Sequence, residues 1–81
     1  MDPLEFAKQL DRIALHNRDD FGYRFDLLSR RNRWELTVYE TTDQHTFIHC
    51  FGATPEAACA EARERVDAAL QHWNYSQPED A

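Results

Sequence analysis

The sequence predicts one α+β domain in the order helix, strand, strand, strand, helix, with a three-stranded antiparallel sheet that carries both helices on one face. Three observations predict this fold class. Apolar residues recur every three or four positions near both ends of the chain, and they alternate with polar residues between those segments. The chain has 81 residues, which is too few for two separate cores. We expect residues 1–73 to form the domain and residues 74–81 to form a flexible tail.

The first helix begins within residues 2–5. Asp2 is the expected N-cap, Pro3 occupies the first helical position, where its missing N–H is harmless, and Glu5 completes a capping box. The helix is expected to end near His16. Its predicted apolar stripe consists of Leu4, Phe6, Ala7, Leu10, Ile13 and Ala14.

Three segments with the period or composition of strands follow, so we expect three strands. The first runs from Phe21 to Leu27, the second from Trp34 to Tyr39 and the third from Thr46 to Phe51. Polar residues over 29–32 and 41–44 are typical of turns between such strands. The first two strands should therefore form a hairpin.

The second helix begins after Thr54, the expected N-cap. Pro55 occupies its first position, and Glu56 lies in the first turn, where the helix dipole favours an acid. A second apolar stripe follows, and acidic residues occupy the opposite side of this helix. The stripe consists of Ala58, Cys59, Ala62, Val66, Ala69, Leu70 and Trp73.

Both helices are expected on the same side of the sheet, because only there do their stripes meet an apolar partner. The other side is then left open, with Tyr39 as its partner-binding candidate. An exposed aromatic patch there would indicate a binding surface or a dimer. The expected neighbours are Arg24 and Thr37, together with Phe47, His49 and Phe51 where these point outward.

The residues that could do chemistry lack the spacing that chemistry requires. Four possible metal ligands do not form the closely spaced pairs of structural zinc sites. Two of them, His49 and Cys50, are adjacent on a strand and should point to opposite faces. We therefore expect no enzyme activity, no cofactor, no metal and two buried free cysteines. The four residues are His45, His49, Cys50 and Cys59.

The chain shows no signal peptide and no run of about 20 apolar residues. Neither cysteine belongs to the dense framework of a secreted mini-protein. These observations predict a cytoplasmic protein with no membrane partner.

Charge defines two candidate partner-binding surfaces. The formal net charge is −6, and the whole excess of acids lies after residue 39. One surface is acidic and consists of Glu56, Glu61, Glu64 and Asp67, joined in the tail by Glu79 and Asp80. The other is basic and consists of Arg30, Arg31 and Arg33 at the first hairpin, with Arg24 as a further candidate. The alternative interpretation of each is an ordinary solvated helix face or turn.

Two short stretches resemble known families. The order of elements, with the junction over 52–55 leading into an alanine-rich helix, resembles the double-stranded RNA-binding domain. That family grips phosphates with lysines at the start of its last helix, whereas this chain has Pro55-Glu56-Ala57-Ala58-Cys59 there. The resemblance therefore implies the topology but not RNA binding. The stretch over 47–70 is similar to HicB-type antitoxin domains, and it implies the same packing of a helix on a sheet.

Three functions are compatible with these features. The first is a small acidic protein-binding module that docks on a basic, nucleic-acid-handling protein. In size and charge the chain looks like the small inhibitors that phages and mobile elements produce, anti-CRISPR proteins among them. The second is a homodimeric, HicB-like antitoxin or scaffold joined through the open sheet face around Tyr39 and Phe47. The third is nucleic-acid binding through the Arg30–Arg33 hairpin, which the overall acidity disfavours.

Overall fold

The computed structural model describes residues 1–16, 22–40 and 46–72, except for the side chains of Thr46, Phe47 and His72. Within these ranges the predicted fold class is confirmed. The elements are α1 (Pro3–His16), β1 (Tyr23–Arg30), β2 (Arg33–Glu40), β3 (Thr46–Gly52) and α2 (Pro55–His72). Several predicted features lie outside the described residues: the tail, the start of the first strand at Phe21, the turn over 41–44, Trp73 and His45.

The N-terminus of each helix is capped by the predicted residue. Asp2 Oδ1 accepts a hydrogen bond from the Leu4 N–H at 2.9 Å, and Thr54 Oγ1 accepts one from the Ala57 N–H at 3.0 Å. These bonds satisfy N–H groups that have no partner within the helix. The predicted capping box is wrong, because the Glu5 carboxylate accepts a hydrogen bond from the side chain of Gln9 instead.

The sheet has the strand order β1-β2-β3, and both pairs are antiparallel. The hairpin between β1 and β2 is tighter than predicted. Ser29 and Arg30, which we expected in the turn, pair with Trp34 and Arg33 and form the last two rungs of the ladder. Only residues 31–32 are left to turn the chain. The register between β2 and β3 shifts after Val38, so one residue of β3 has no partner on β2.

One apolar core fills the space between the sheet and the helices. Phe6 lies in it and meets Phe25 of β1 edge to face, with ring centroids 4.9 Å apart. Leu4 was expected on the same stripe but is 63% exposed. It lies about 200° around α1 from Phe6, which turns it away from the sheet. The buried core residues are Phe6, Leu10, Ile13, Leu36, Val38, Ile48, Cys50, Ala58, Cys59, Ala62, Val66 and Leu70.

The second helix lies close to the sheet where β3 ends. A Cβ at Gly52 would clash with the backbone of Ala57 and Ala58, so glycine is required at this contact. The small side chains of Ala58 and Ala62, which belong to α2, are fully buried in the core. Among the described residues, no helix is long and apolar enough to cross a membrane.

Candidate functional site

The face of the sheet opposite the helices is covered by no described element. Leu36, Val38, Ile48 and Cys50 are buried in the core, so their neighbours along each strand point the other way. We call this surface the open face. His49 points to the open face and Cys50 points into the core, as predicted from their adjacent positions on the strand. The described side chains of the open face belong to Arg24, Asp26, Leu28, Arg30, Arg33, Glu35, Thr37, Tyr39, His49 and Phe51.

Glu35 is the centre of the polar contacts on the open face. Its Oε1 accepts hydrogen bonds from Arg30 Nη2 at 2.8 Å and Arg30 Nε at 3.2 Å. Its Oε2 accepts one from His49 Nε2 at 2.9 Å. The bonds from Arg30 and then those from His49 lower the pKa of Glu35 below its ordinary value, because they stabilise the ionised form. The Glu35 side chain is only 17% exposed, and its carboxylate holds the side chains of Arg30 and His49 in place.

An aromatic ring extends this network toward the hairpin. The Arg33 guanidinium carbon lies 3.9 Å from the centroid of the Phe51 ring. On its other side Phe51 contacts the His49 ring, with centroids 5.0 Å apart and the planes at 69°. Arg30, Glu35, His49, Phe51 and Arg33 therefore form one continuous chain of contacts, which we call the hairpin cluster.

An open recess of about 490 Å³ lies at this end of the sheet. Its volume is in the range of clefts that bind small molecules. Three of its six lining residues are arginines, and Glu35 contributes the one carboxylate. The lining residues are Arg30, Arg31, Asn32, Arg33, Glu35 and Phe51.

The predicted arginines are brought together, but Arg24 is not among them. It lies at the other end of β1, six residues from Arg30, a distance of about 20 Å along a strand. There its guanidinium stacks over Tyr39 at 4.3 Å and lies 3.6 Å from Asp26. The open face consequently has an arginine on an aromatic ring at each end.

Half of the predicted acidic surface on α2 is neutralised within the helix. Glu61 accepts a hydrogen bond at 2.9 Å from Nε of Arg65, four residues further along the helix. Asp67 is bonded to Arg63 in the same i,i+4 arrangement. Glu56 and Glu64 are exposed. Neither carboxylate forms an ion pair within the part of the chain that the structure describes, while the Met1 ammonium donates to the backbone carbonyl of Glu56 at 3.2 Å. The residual negative charge of this surface is therefore concentrated on these two residues.

The cysteines lie in the core as predicted. Both are free thiols, and Cys50 Sγ donates to the Ala58 carbonyl at 3.6 Å. Burial raises the pKa of Cys50 and of Cys59, which lowers the fraction of reactive thiolate. Over the described ranges no three His, Cys, Asp or Glu side chains form a group suited to a metal.

The sequence prediction missed the residues that connect this site. Glu35 was not a candidate, whereas His49 and Phe51 were considered only as outward members of an aromatic patch, and His49 also as a metal ligand. Their alternation with buried Leu36 and Cys50 placed them on the open face. The contacts that join them depend on the strand register.

Comparison with models of protein families, with curated proteins and with solved structures found no match to this chain. The resemblances to double-stranded RNA-binding domains and to HicB-type domains therefore stay predictions.

Proposed function

We propose that this protein is a non-enzymatic binding module that docks on another protein through the open face of its sheet. The observation that carries the proposal is the pair of arginine–aromatic stacks, Arg24 on Tyr39 and Arg33 on Phe51, at the two ends of that face. Arginine and large aromatic residues are enriched among the side chains that contribute most to protein-binding energy. Tyr39, Arg30, Arg31 and Arg33 thus keep the partner-binding role predicted for them.

The order already present on this face supports the same conclusion. Glu35 holds Arg30 and His49, and Phe51 holds Arg33. Long side chains lose rotamer freedom when they bind, and this loss weakens affinity. Side chains that are positioned before the partner arrives lose less, so the hairpin cluster is suited to recognition.

Two features support a role without catalysis. Both thiols are buried and their pKa values are raised, which makes them poor nucleophiles. His49 bonds to Glu35 and packs on Phe51, and neither of these contacts supplies a hydroxyl, thiol or amine nucleophile. The narrower role that we attach to the proposal is inhibition of a nucleic-acid-handling protein, on the class likeness to phage inhibitors.

A second candidate places the partner on α2. The carboxylates of Glu56 and Glu64 are exposed and form no ion pair among the described residues, and the whole chain carries a net charge of −6. A basic protein would be attracted to this helix. In this version Glu61 and Asp67 contribute little, since Arg65 and Arg63 already neutralise them.

The test compares one variant on each surface. The partner is captured with the full chain, identified by mass spectrometry, purified and titrated in a binding assay. The double variant Thr37→Arg/Tyr39→Ser alters the open face, and Glu56→Lys/Glu64→Lys alters α2. We expect the open-face variant to weaken binding by at least about tenfold. We expect the α2 variant to bind like the parent chain.

The opposite pattern would place the partner on α2, and equal affinities for all three chains would remove the open face as the docking surface. Circular dichroism checks that both variants fold. Light scattering tests the homodimer alternative, because a dimer joined through the open face should dissociate in the Thr37→Arg/Tyr39→Ser variant.

A further inference from the structure

We infer that the recess at the hairpin binds a carboxylate, the side chain of an aspartate or glutamate in an acidic segment of the partner protein. This inference rests on the proposed function and names the group that anchors the partner. The recess differs from the rest of the open face in the number of hydrogen-bond donors that it leaves unused.

The unused donors belong to three arginines. A guanidinium has five N–H donors. Arg30 directs its Nε and Nη2 toward a single oxygen of Glu35, so its remaining donors are available to a ligand. The Arg33 guanidinium carbon lies 3.9 Å from the Phe51 ring centroid, and the guanidinium N–H groups donate to no described residue. Arg31 is exposed in the turn.

The charges of the lining residues are unbalanced. Three arginines face one carboxylate, and the two oxygens of Glu35 already accept bonds from Arg30 and His49. An oxyanion is the ligand that would restore the balance. Arginine matches a carboxylate especially well, because two parallel N–H groups can donate to its two oxygens.

The surroundings favour an acidic peptide over a nucleic acid. Nucleic acids bind through a row of cations that contact several phosphates. Here three arginines cluster at one end of the sheet, and the arginine at the far end, Arg24, lies beside Asp26. A single aspartate or glutamate needs only the arginines that line the recess.

The test uses two labelled peptides, hexaglutamate and hexaglutamine, and a labelled hexathymidylate oligonucleotide as the phosphate probe. Each is titrated into the full chain while amide shifts are followed by NMR. The variant Arg31→Gln/Arg33→Gln removes two arginines of the recess and leaves the Arg30–Glu35 pair in place. The variant Lys8→Gln/Arg12→Gln removes the same charge from exposed positions on α1, away from the open face, and serves as the matched control.

We expect hexaglutamate to shift amides over 30–35 and at Phe51, and hexaglutamine to shift none. We expect the affinity for hexaglutamate to fall by about tenfold in Arg31→Gln/Arg33→Gln and to stay within about twofold in the control variant.

Three results would overturn the inference: tighter binding of hexathymidylate at the same residues, equal loss in both variants, or no shift at about 5 mM hexaglutamate, a concentration above weak millimolar affinities. Titration of the purified partner separates this inference from the proposed function. If Arg31→Gln/Arg33→Gln binds the partner normally while Thr37→Arg/Tyr39→Ser does not, the open face is the docking surface and the recess is not its anchor. If Thr37→Arg/Tyr39→Ser also binds normally, the proposed function itself fails.

Discussion

The covered face of the sheet and its open face are built from the same three strands, and their side chains alternate along each strand. On the covered face Leu36, Val38 and Ile48 are buried against both helices. Glu35 precedes Leu36 and His49 follows Ile48, so both lie on the open face. There the two side chains bond to each other, with His49 more exposed than Glu35. Under our proposal, stability and recognition are assigned to opposite sides of this sheet. Substitutions on the two sides should therefore affect different properties.

The largest effect is expected from a cavity on the covered face. Leu36 is fully buried on the central strand, so Leu36→Ala should lower the free energy of unfolding by about 2–5 kcal/mol. Thr37→Ala, one residue further and on the open face, should change it by less than about 0.5 kcal/mol. Urea denaturation measures both values. Equal losses would show that the two faces do not differ in their contribution to stability.

The second effect tests the contact between β3 and α2. Gly52→Ala places a Cβ against the backbone of Ala57 and Ala58, so the helix must move or the strand must bend. We expect a loss of about 1–3 kcal/mol of unfolding free energy, as for other overpacked sites. The exposed neighbour Ala53 is the control, and Ala53→Ser should unfold at the parent urea midpoint. A Gly52→Ala protein as stable as the parent would contradict the close approach.

The third effect is the pH dependence of the open face. The bonds to Glu35 lower its pKa in the folded state from the ordinary value of 4.5. A group with a lowered folded pKa contributes stability above its unfolded pKa, and this contribution is lost as the pH falls through the folded pKa. Glu35→Gln should therefore be less stable than the parent at pH 7, and the difference should shrink as the pH is lowered below 4.5. Urea midpoints across this range measure it. A difference that is unchanged in acid would mean that charge is not its cause.

The smallest effect is expected on the outer side of α2. Glu61→Gln removes the pair with Arg65 and should cost about 0.3–0.5 kcal/mol. Glu64→Gln removes no charged partner that the described residues provide, so its unfolding free energy should stay closer to that of the parent. Thermal unfolding of the two variants side by side gives the comparison. A larger loss for Glu64→Gln would contradict this assignment of the helix charges.

Much of the covered face was predictable from local patterns. The capping residues Asp2 and Thr54 and the period of α2 identify both helices, because these signals involve neighbours in sequence. Leu4 shows the limit of this method, since its spacing fits the stripe but its position around α1 points it to solvent. The predicted turn over 29–32 was too long because the rung that pairs Ser29 with Trp34 becomes visible only after the strands are aligned.

The open face was predictable in its membership but not in its contacts. Alternation placed Tyr39 and Glu35 on one side, and composition identified the arginine hairpin. The bond from His49 to Glu35 joins residues fourteen positions apart and requires the register between β2 and β3. Arg24 was linked to the hairpin by charge alone, whereas the strand separates the two by about 20 Å. Long-range register, rather than residue type, therefore determines which polar side chains form the site.

The central claim is that the open face is the surface on which a partner docks. The most direct measurement is the change in amide shifts of the labelled chain when the purified partner is added. Our account predicts that the affected amides cluster around Glu35, Tyr39 and Phe51, with α2 residues Glu56 and Glu64 unchanged. Shifts confined to α2, with β2 and β3 unaffected, would contradict it.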